Sequence, residues 1–417
     1  MRVLLINAFH YLRGGVERTY LDESRWLAAA GHEVAHLATE DARNLPRGPW
    51  DRFVSSADFG AGASAFSQLA QLPNLISSEP ARRAAAELVA AFRPDVAHLH
   101  APSRYLTPSV LEPLEESGVP TVMTLHDFKP WCTNRIQFAH GAPCERCKGG
   151  AHWHALATGC VQDSWPKSAV GMIEAYAHQA SGAYRHVSLW IAPSRFVREK
   201  AIEWGVAPGR LRLLPHGLEG AARTGAAPAV AAGAAPYVLF AGRLSLEKGA
   251  ALLPELARAL APTPLRVVGE GPLRAWLDRA ARDVPGLAVL GHLEDDALSR
   301  ERRAAAAVVV PSLFYEHFCY AAAEAMLDER PVAASRIGAI PELVEHEVTG
   351  LLAPPGDARA LADATRRALG PEGARWAAAG AARVRERARP EQHVRDLLEI
   401  YREAMAMAHG TRRGSAA

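Results

Sequence analysis

Two carboxylates eight positions apart, Glu316 and Glu324, straddle the place where an extended loop should become a helix. Ahead of them, Ala307-Val308-Val309-Val310-Pro311-Ser312 reads as a buried strand closed by a turn. Behind them, residues 319–329 are rich in Ala, Leu, Met and Glu, which favours helix. A strand that passes through a loop into a helix offers free backbone N–H groups and a positive dipole end, both suited to phosphate. A second stretch, Phe240-Ala241-Gly242-Arg243-Leu244-Ser245-Leu246-Glu247-Lys248-Gly249, follows another candidate strand. Gly242 lets the backbone approach a ligand, while Arg243 and Lys248 supply two cations. A diphosphate gains charge as its bond to a sugar breaks, and fixed cations stabilise that transition state more than the ground state. Taken singly, a Glu pair is commonly a solvated helix face, and two cations beside a turn are commonly ordinary surface. Their occurrence at successive strand ends is what points to chemistry.

Weaker signals fall at the same kind of edge. Val268-Gly269-Glu270-Gly271-Pro272 follows a strand and sets Pro272 for a first helical turn. Leu290-Gly291-His292-Leu293 follows another and could carry its backbone over a flat base. Near the start, Arg13-Gly14-Gly15-Val16-Glu17-Arg18 joins the first strand to its helix, where Gly14 and Gly15 can expose N–H groups to an anion. The spacing G-x-G-x-x-G is missing there, which counts against a dinucleotide site despite Glu40 after the second strand.

Strands alternating with helices must position these loops. Residues 3–7, 33–38, 96–100, 121–125, 189–192 and 211–214 read as strands, with a helix over 17–30. The alternation resumes with 237–241, 265–268, 288–290, 307–310 and 331–334. This predicts an α/β protein of two doubly wound, Rossmann-like domains with parallel sheets. The boundaries are an N-terminal domain over 1–216, a linker over 217–236 dominated by Ala, Gly and Pro, a second domain over 237–388, and a C-terminal helical stretch over 389–417 that packs back on the domains. A chain of 417 residues is long enough for two cores. Its net charge of +2 gives no general case for nucleic acid, and no apolar run is long enough to span a bilayer. Met1 to Asn7 reads as a strand rather than a leader, so a cytoplasmic protein with at most peripheral membrane contact is expected.

Together, Arg13-Gly14-Gly15-Val16-Glu17, His126-Asp127, Pro193-Ser194, Leu214-Pro215-His216-Gly217, Gly242-Arg243 with Lys248-Gly249, Gly269-Glu270-Gly271-Pro272, the Glu316/Glu324 pair and Gly338-Ala339-Ile340-Pro341-Glu342 resemble a retaining glycosyltransferase of family four, with the GT-B fold. The resemblance implies a nucleotide-sugar donor (a UDP- or GDP-sugar) bound mainly by the second domain and a glycan, glycolipid or small glycoside acceptor bound mainly by the first. It implies no catalytic cofactor or metal. Arg243 and Lys248 would hold the diphosphate, Glu324 the ribose hydroxyls, and Glu316 the transferred sugar. Backbone N–H groups of Phe318, Cys319 and Tyr320 would touch sugar and phosphate, His126 would hydrogen-bond the sugar, and Gly15 would let its loop approach the diphosphate. The chain departs from the family at His317 and Cys319, where Gly is common, at His216 in place of a frequent Asn, and at Ala339 within a usual Gly-Gly pair.

Four of the five cysteines fall within 29 residues: Cys132, Cys144, Cys147 and Cys160. They lie in a segment near 128–165, with a C-x2-C knuckle flanked by eleven and twelve residues. Three readings stand: a structural tetrahedral Zn2+, unlinked thiols, or disulfides, with a reducing cytoplasm disfavouring the last. His98 and His100 share one face of a strand and are expected to be buried with hydrogen-bond partners. Transfer of a hexose-type sugar, in bacterial polysaccharide assembly, is the leading expectation. A nucleotide-sugar epimerase of the same fold and a non-catalytic nucleotide-sugar-binding scaffold are the alternatives.

Overall fold

The computed structural model describes residues 1–55, 66, 72–222 and 235–414. The chain divides into two compact units: Met1–Ala139, Cys144–His216 and Pro390–Ala417 form one, and His140–Pro143 with Gly217–Arg389 the other. Each unit is built on one parallel sheet. In the first, the strand order is Arg52–Val54, Glu33–Thr39, Arg2–Ile6, Val96–Leu99, Thr121–Thr124, Leu189–Ala192, Leu211–Leu213. In the second it is Leu287–Gly291, Leu265–Val268, Val238–Ala241, Ala307–Val310, Val332–Ser335, Leu351–Ala353. All these neighbours pair in parallel.

The α/β class and the two doubly wound sheets agree with the expectation. The strands form because runs such as Val3-Leu4-Leu5-Ile6 and Val308-Val309-Val310 are buried on both sheet faces, as parallel strands require. One face of the first sheet buries Leu4, Ile6 and Leu99 against Phe92 and Leu88; the other buries Val3, Leu5 and Ile191 against Tyr20, Leu397 and Tyr401. Each such side chain removed from water contributes roughly 1.5–3 kcal/mol. The helix Pro390–Gly414 therefore completes the first unit's core, although its sequence lies beyond the second sheet. Two edge strands, Arg52–Val54 and Leu351–Ala353, were not expected; three residues leave too little pattern to read. The expected linker falls largely outside the described residues, at 223–234, and its described start holds a short 3-10 turn at Glu219–Ala222.

Both sheets put their first strand beside their fourth, so successive crossovers run in opposite directions from that point. The carboxyl ends of the two adjacent strands then leave an open crevice, the usual ligand position in such sheets. In the second unit those strands are Val238–Ala241 and Ala307–Val310, the two that precede the Arg243/Lys248 and Glu316 loops.

Candidate active site

Glycines stitch the loops at this switch point together. Gly249 has φ of 73°, and a Cβ there would lie 1.9 Å from the carbonyl oxygen of Pro311. Nearby, the Leu313 N–H donates to the Glu247 carbonyl at 2.9 Å, pinning the Lys248 loop to the Glu316 loop. Gly269, at φ of 138°, would bring a Cβ to 1.9 Å from the carbonyl oxygen of Gly242. The Leu244 N–H donates to the Glu270 carbonyl at 2.9 Å, and the Leu273 N–H donates to the Leu244 carbonyl at 2.9 Å. The Gly242–Gly249 and Gly269–Gly271 turns are thus one rigid floor.

On that floor Lys248 and Glu316 meet. Lys248 Nζ lies 2.8 Å from Glu316 Oε1, and Ser312 Oγ donates to the same oxygen at 2.7 Å. Glu316 is 6% exposed. Burial pulls the Lys248 ammonium toward neutrality, but the Glu316 carboxylate overcomes this and raises its pKa above the ordinary lysine range. Lys248 therefore stays charged. Gly338, at φ of 58°, packs where a Cβ would lie 2.5 Å from the Glu316 nitrogen, and the Ala339 N–H donates to the Glu316 carbonyl at 2.9 Å. Ala339 itself has φ of −81°, so the second glycine of the usual pair is not needed there.

Cys319 caps the helix Tyr320–Leu327 with φ of 71° and ψ of 72°, a left-handed conformation that glycine adopts freely and other residues at a cost. Its backbone thus keeps the path a glycine would take. Burial first, then the Glu316 charge, push its thiol up to about 12, so it remains protonated. Beside it, burial and the Lys248 charge lower His317 to about 3, leaving a neutral imidazole. Phe318 and Tyr320 stand at the start of the same helix, with ring centroids 5.2 Å apart.

The remaining donor-side residues are spread more widely. Arg243 is exposed, and its side chain makes no hydrogen bond or ion pair among the described residues. Glu324, on the helix Tyr320–Leu327, pairs with Arg302 at 2.8 Å, and Arg302 also reaches Asp328 at 2.6 Å. That arginine clamp was missed because nothing near it in sequence singles out Arg302. His292 is exposed at the end of the strand Leu287–Gly291 and lies 3.6 Å from Glu294. The structure thus brings Lys248 and Glu316 into contact, places Arg243 on the Lys248 loop, and holds Glu324 in a separate acid–arginine cluster.

In the first unit, Gly14 and Gly15 are exposed at the N-terminus of the helix Gly15–Ala29. Gly14 has an extended φ of −176°, so conformation alone does not demand glycine there. His126 follows the strand Thr121–Thr124; its Nε2 is 3.0 Å from His100 Nδ1. Its ring stacks between those of His100, centroid at 5.2 Å, and His216, at 5.1 Å. His98 and His100 are buried as expected; both His98 nitrogens are hydrogen-bonded, whereas His100 is bonded at Nδ1 and its Nε2 has no hydrogen-bond partner among the described residues. Lys129 is a packing residue, with its ammonium 2.8 Å from the fully buried carboxylate of Glu174.

The four clustered cysteines are free thiols. Burial raises Cys132 to about 12 and also raises Cys147 and Cys160, with neighbouring thiols of the group adding to each shift. They are therefore near one another. Among the described residues, however, the metal-spaced groups whose ligand atoms lie within 4.8 Å of one another are His10/His36/Asp51 and Glu23/His98/His100, with no cysteine set among them. A tetrahedral Zn2+ with sulfur at ~2.3 Å needs sulfur–sulfur edges of about 3.8 Å. The thiols as placed do not form that set, and the Cys132 thiol donates to Asn134 Oδ1 at 3.0 Å. Among the described residues no helix is long and apolar enough to cross a membrane.

Comparison with known proteins supports the fold of both units. A family model described as "Glycosyltransferase Family 4" matches residues 13–219, and one described as "Glycosyl transferases group 1" matches residues 235–370. A D-inositol 3-phosphate glycosyltransferase of Saccharomonospora viridis is 44% identical over 110 residues, 26% of this chain and 25% of that relative. The sulfoquinovosyl transferase SQD2 of Arabidopsis thaliana is 24% identical over 366 residues, 84% of this chain and 62% of that relative. The chain thus spans between a quarter and about three fifths of the length of these curated relatives. Among solved structures, the sucrose-phosphate synthase of Thermosynechococcus elongatus superposes with a TM-score of 0.70 at 22% identity, covering 97% of this chain and 99% of that one. Anabaena Alr3699/HepE in complex with UDP-glucose gives 0.66 at 18% identity, covering 96% and 98%. The fold of the two sheets is GT-B.

Proposed function

We propose that this chain of GT-B fold is a retaining glycosyltransferase that moves a hexose-type sugar from a nucleotide-diphosphate donor to a glycan or glycoside acceptor, in bacterial polysaccharide assembly. The observation that carries the reading is the Lys248–Glu316–Ser312 cluster at the switch point of the second sheet. It combines a permanent cation, an oriented acid and a nearby helix N-terminus. Complexes of the similar HepE with UDP-glucose and with UDP support a UDP-sugar donor.

In this reading Arg243 and Lys248 take the donor diphosphate, and the N–H groups of Phe318, Cys319 and Tyr320 take oxygens of sugar and phosphate. Glu324 accepts from the ribose hydroxyls, with Arg302 holding the carboxylate in place. Gly242 and Gly271 keep the backbone low along the ligand, and His292 lies beside the base. Glu316, braced by Ser312 and the Gly338 loop, orients the transferred sugar rather than attacking it. As the sugar–phosphate bond breaks, negative charge grows on the leaving oxygen beside the two cations, which lowers the barrier. That oxygen takes the acceptor proton on the same face, so configuration is retained. From the first unit, Gly14 and Gly15 contribute backbone donors and His126 a hydrogen bond to the sugar. None of these roles needs a metal.

Structural zinc on Cys132, Cys144, Cys147 and Cys160 is a separate proposal, which requires the insertion to contract and its thiols to lose their protons. Elemental analysis that finds about one zinc, absent from Cys144→Ser, would carry it.

The transferase reading is tested by following nucleoside diphosphate release from a panel of nucleotide sugars with and without glycoside acceptors. Release that depends on acceptor, with an axial-to-axial or equatorial-to-equatorial anomeric outcome by NMR, is expected. Interconversion of the donor sugar without acceptor would instead mark an epimerase.

A further inference from the structure

The first unit holds a buried polar chain that no part of the donor-site reading uses. Glu23 comes from the helix Gly15–Ala29, His98 and His100 from the end of the strand Val96–Leu99, and His393 from the C-terminal helix. Their exposures are 1%, 0%, 1% and 4%. Glu23 Oε1 and His393 Nε2 are 2.9 Å apart. Glu23 Oε2 lies 3.5 Å from His100 Nε2, an electrostatic contact rather than a hydrogen bond, and both atoms are buried without a hydrogen-bond partner among the described residues. His98, although 3.4 Å from the same oxygen, has both nitrogens engaged: Nδ1 with Tyr401 Oη and Nε2 with Thr124 Oγ1, each at 2.8 Å. His100 is thus the bridge between the carboxylate and His126, whose Nε2 it meets at 3.0 Å.

The charge of an ionised Glu23 favours one tautomer along this bridge. A carboxylate accepts only, so the single proton of a neutral His100 belongs on Nε2, facing it. His100 is neutral because burial and the stacked histidines hold its pKa well below the ordinary value. Its Nδ1 is then a lone pair, and a 3.0 Å N···N hydrogen bond requires the proton to sit on His126 Nε2. We propose that Glu23, acting through His100, is a positioning residue that holds His126 in the Nε2–H tautomer, which makes His126 Nδ1 the lone-pair side of the ring. The stacking of His126 between His100 and His216 fixes the plane in which that lone pair points. The tautomer does not depend on the transferase reading.

The test is histidine-ring NMR on the full chain labelled with 15N-histidine, without donor or acceptor, with His126 assigned by its loss in His126→Gln. The expected spectrum shows the bridging proton bonded to His126 Nε2 and a coupling across the hydrogen bond to His100 Nδ1. In Glu23→Leu, an N–H left facing an alkyl group would be buried without an acceptor, so the proton should move to His100 Nδ1 and point at His126. A wild-type proton on His100 Nδ1, no coupling between the two nitrogens, or ring shifts of metal ligands would overturn the proposal. Should Glu23→Leu fail to fold, the wild-type spectrum decides alone. Because no ligand is present, the spectrum can fail while acceptor-dependent transfer stands, and the reverse outcome is equally readable.

Discussion

Cys319 shows how a single residue can keep a ligand-shaped backbone while its side chain departs from the usual type. Its left-handed φ of 71° costs about 1–2 kcal/mol for a residue with a Cβ, whereas its buried thiol adds packing. Cys319→Ala loses the sulfur and keeps the strain; Cys319→Gly loses the sulfur and relieves it. We therefore expect Cys319→Gly to be more stable than Cys319→Ala in denaturant unfolding, by about 1 kcal/mol. A clearly less stable glycine variant would show that the conformation is not strained. The position of Cys319 beside Glu316 was legible in sequence, because loop and helix were separated by their composition. The partners of the two acids were not. Arg302 lies 22 residues before Glu324, and the Glu23–His100 contact joins a helix to the end of a strand far along the chain. Such pairings depend on sheet order, which periodicity does not encode.

At the scale of elements, the donor-side loops are positioned by backbone packing more than by side chains. Gly249 is the clearest case, since a Cβ 1.9 Å from the Pro311 carbonyl oxygen cannot be accommodated by a rotamer change. Gly249→Ala should cost more than about 2 kcal/mol, through overlap and through its positive φ. Gly209→Ala, where nothing lies within 4 Å of the added methyl and φ is ordinary, should stay within about 0.5 kcal/mol of wild type. Equal midpoints in urea for the two variants would remove the rigid floor from this account. Most strands were readable because parallel strands buried on both faces show as unbroken apolar runs, as at Val308-Val309-Val310 and at Leu4-Leu5-Ile6. The cysteine-rich insertion was readable only as a cluster. It turns through left-handed Arg135, Gln137 and His140, and sequence spacing does not say where such turns leave the sulfur atoms.

For the whole molecule, neutral buried histidines link stability to pH. Burial lowers His98 and His10 to about 4 in the first unit and His317 to about 3 in the second, against 6.5 when unfolded. Between these limits the unfolded chain binds more protons than the native one, so stability rises with pH there. It should be complete above about pH 6.5 and be lost as pH falls through 6.5 toward 4, by a few kcal/mol for each such group at the low end. Thermal midpoints measured from about pH 7.5 down to about 4.5 should drop steadily below roughly 6.5, and a flat profile would mean that these rings are not held neutral.

The central claim is that the loops after Val238–Ala241 and Ala307–Val310 hold a nucleoside diphosphate sugar. Thermal shift with a panel of UDP- and GDP-sugars tests it most directly, since a ligand at about a hundred times its Kd stabilises the native state by about 2.7 kcal/mol. At least one donor should raise the midpoint of the wild-type protein. Arg243→Ala, whose side chain is exposed and unpaired among the described residues, should unfold like wild type without ligand yet lose that shift. No response to any donor, or an undiminished shift in both Arg243→Ala and Lys248→Met, would contradict the assignment.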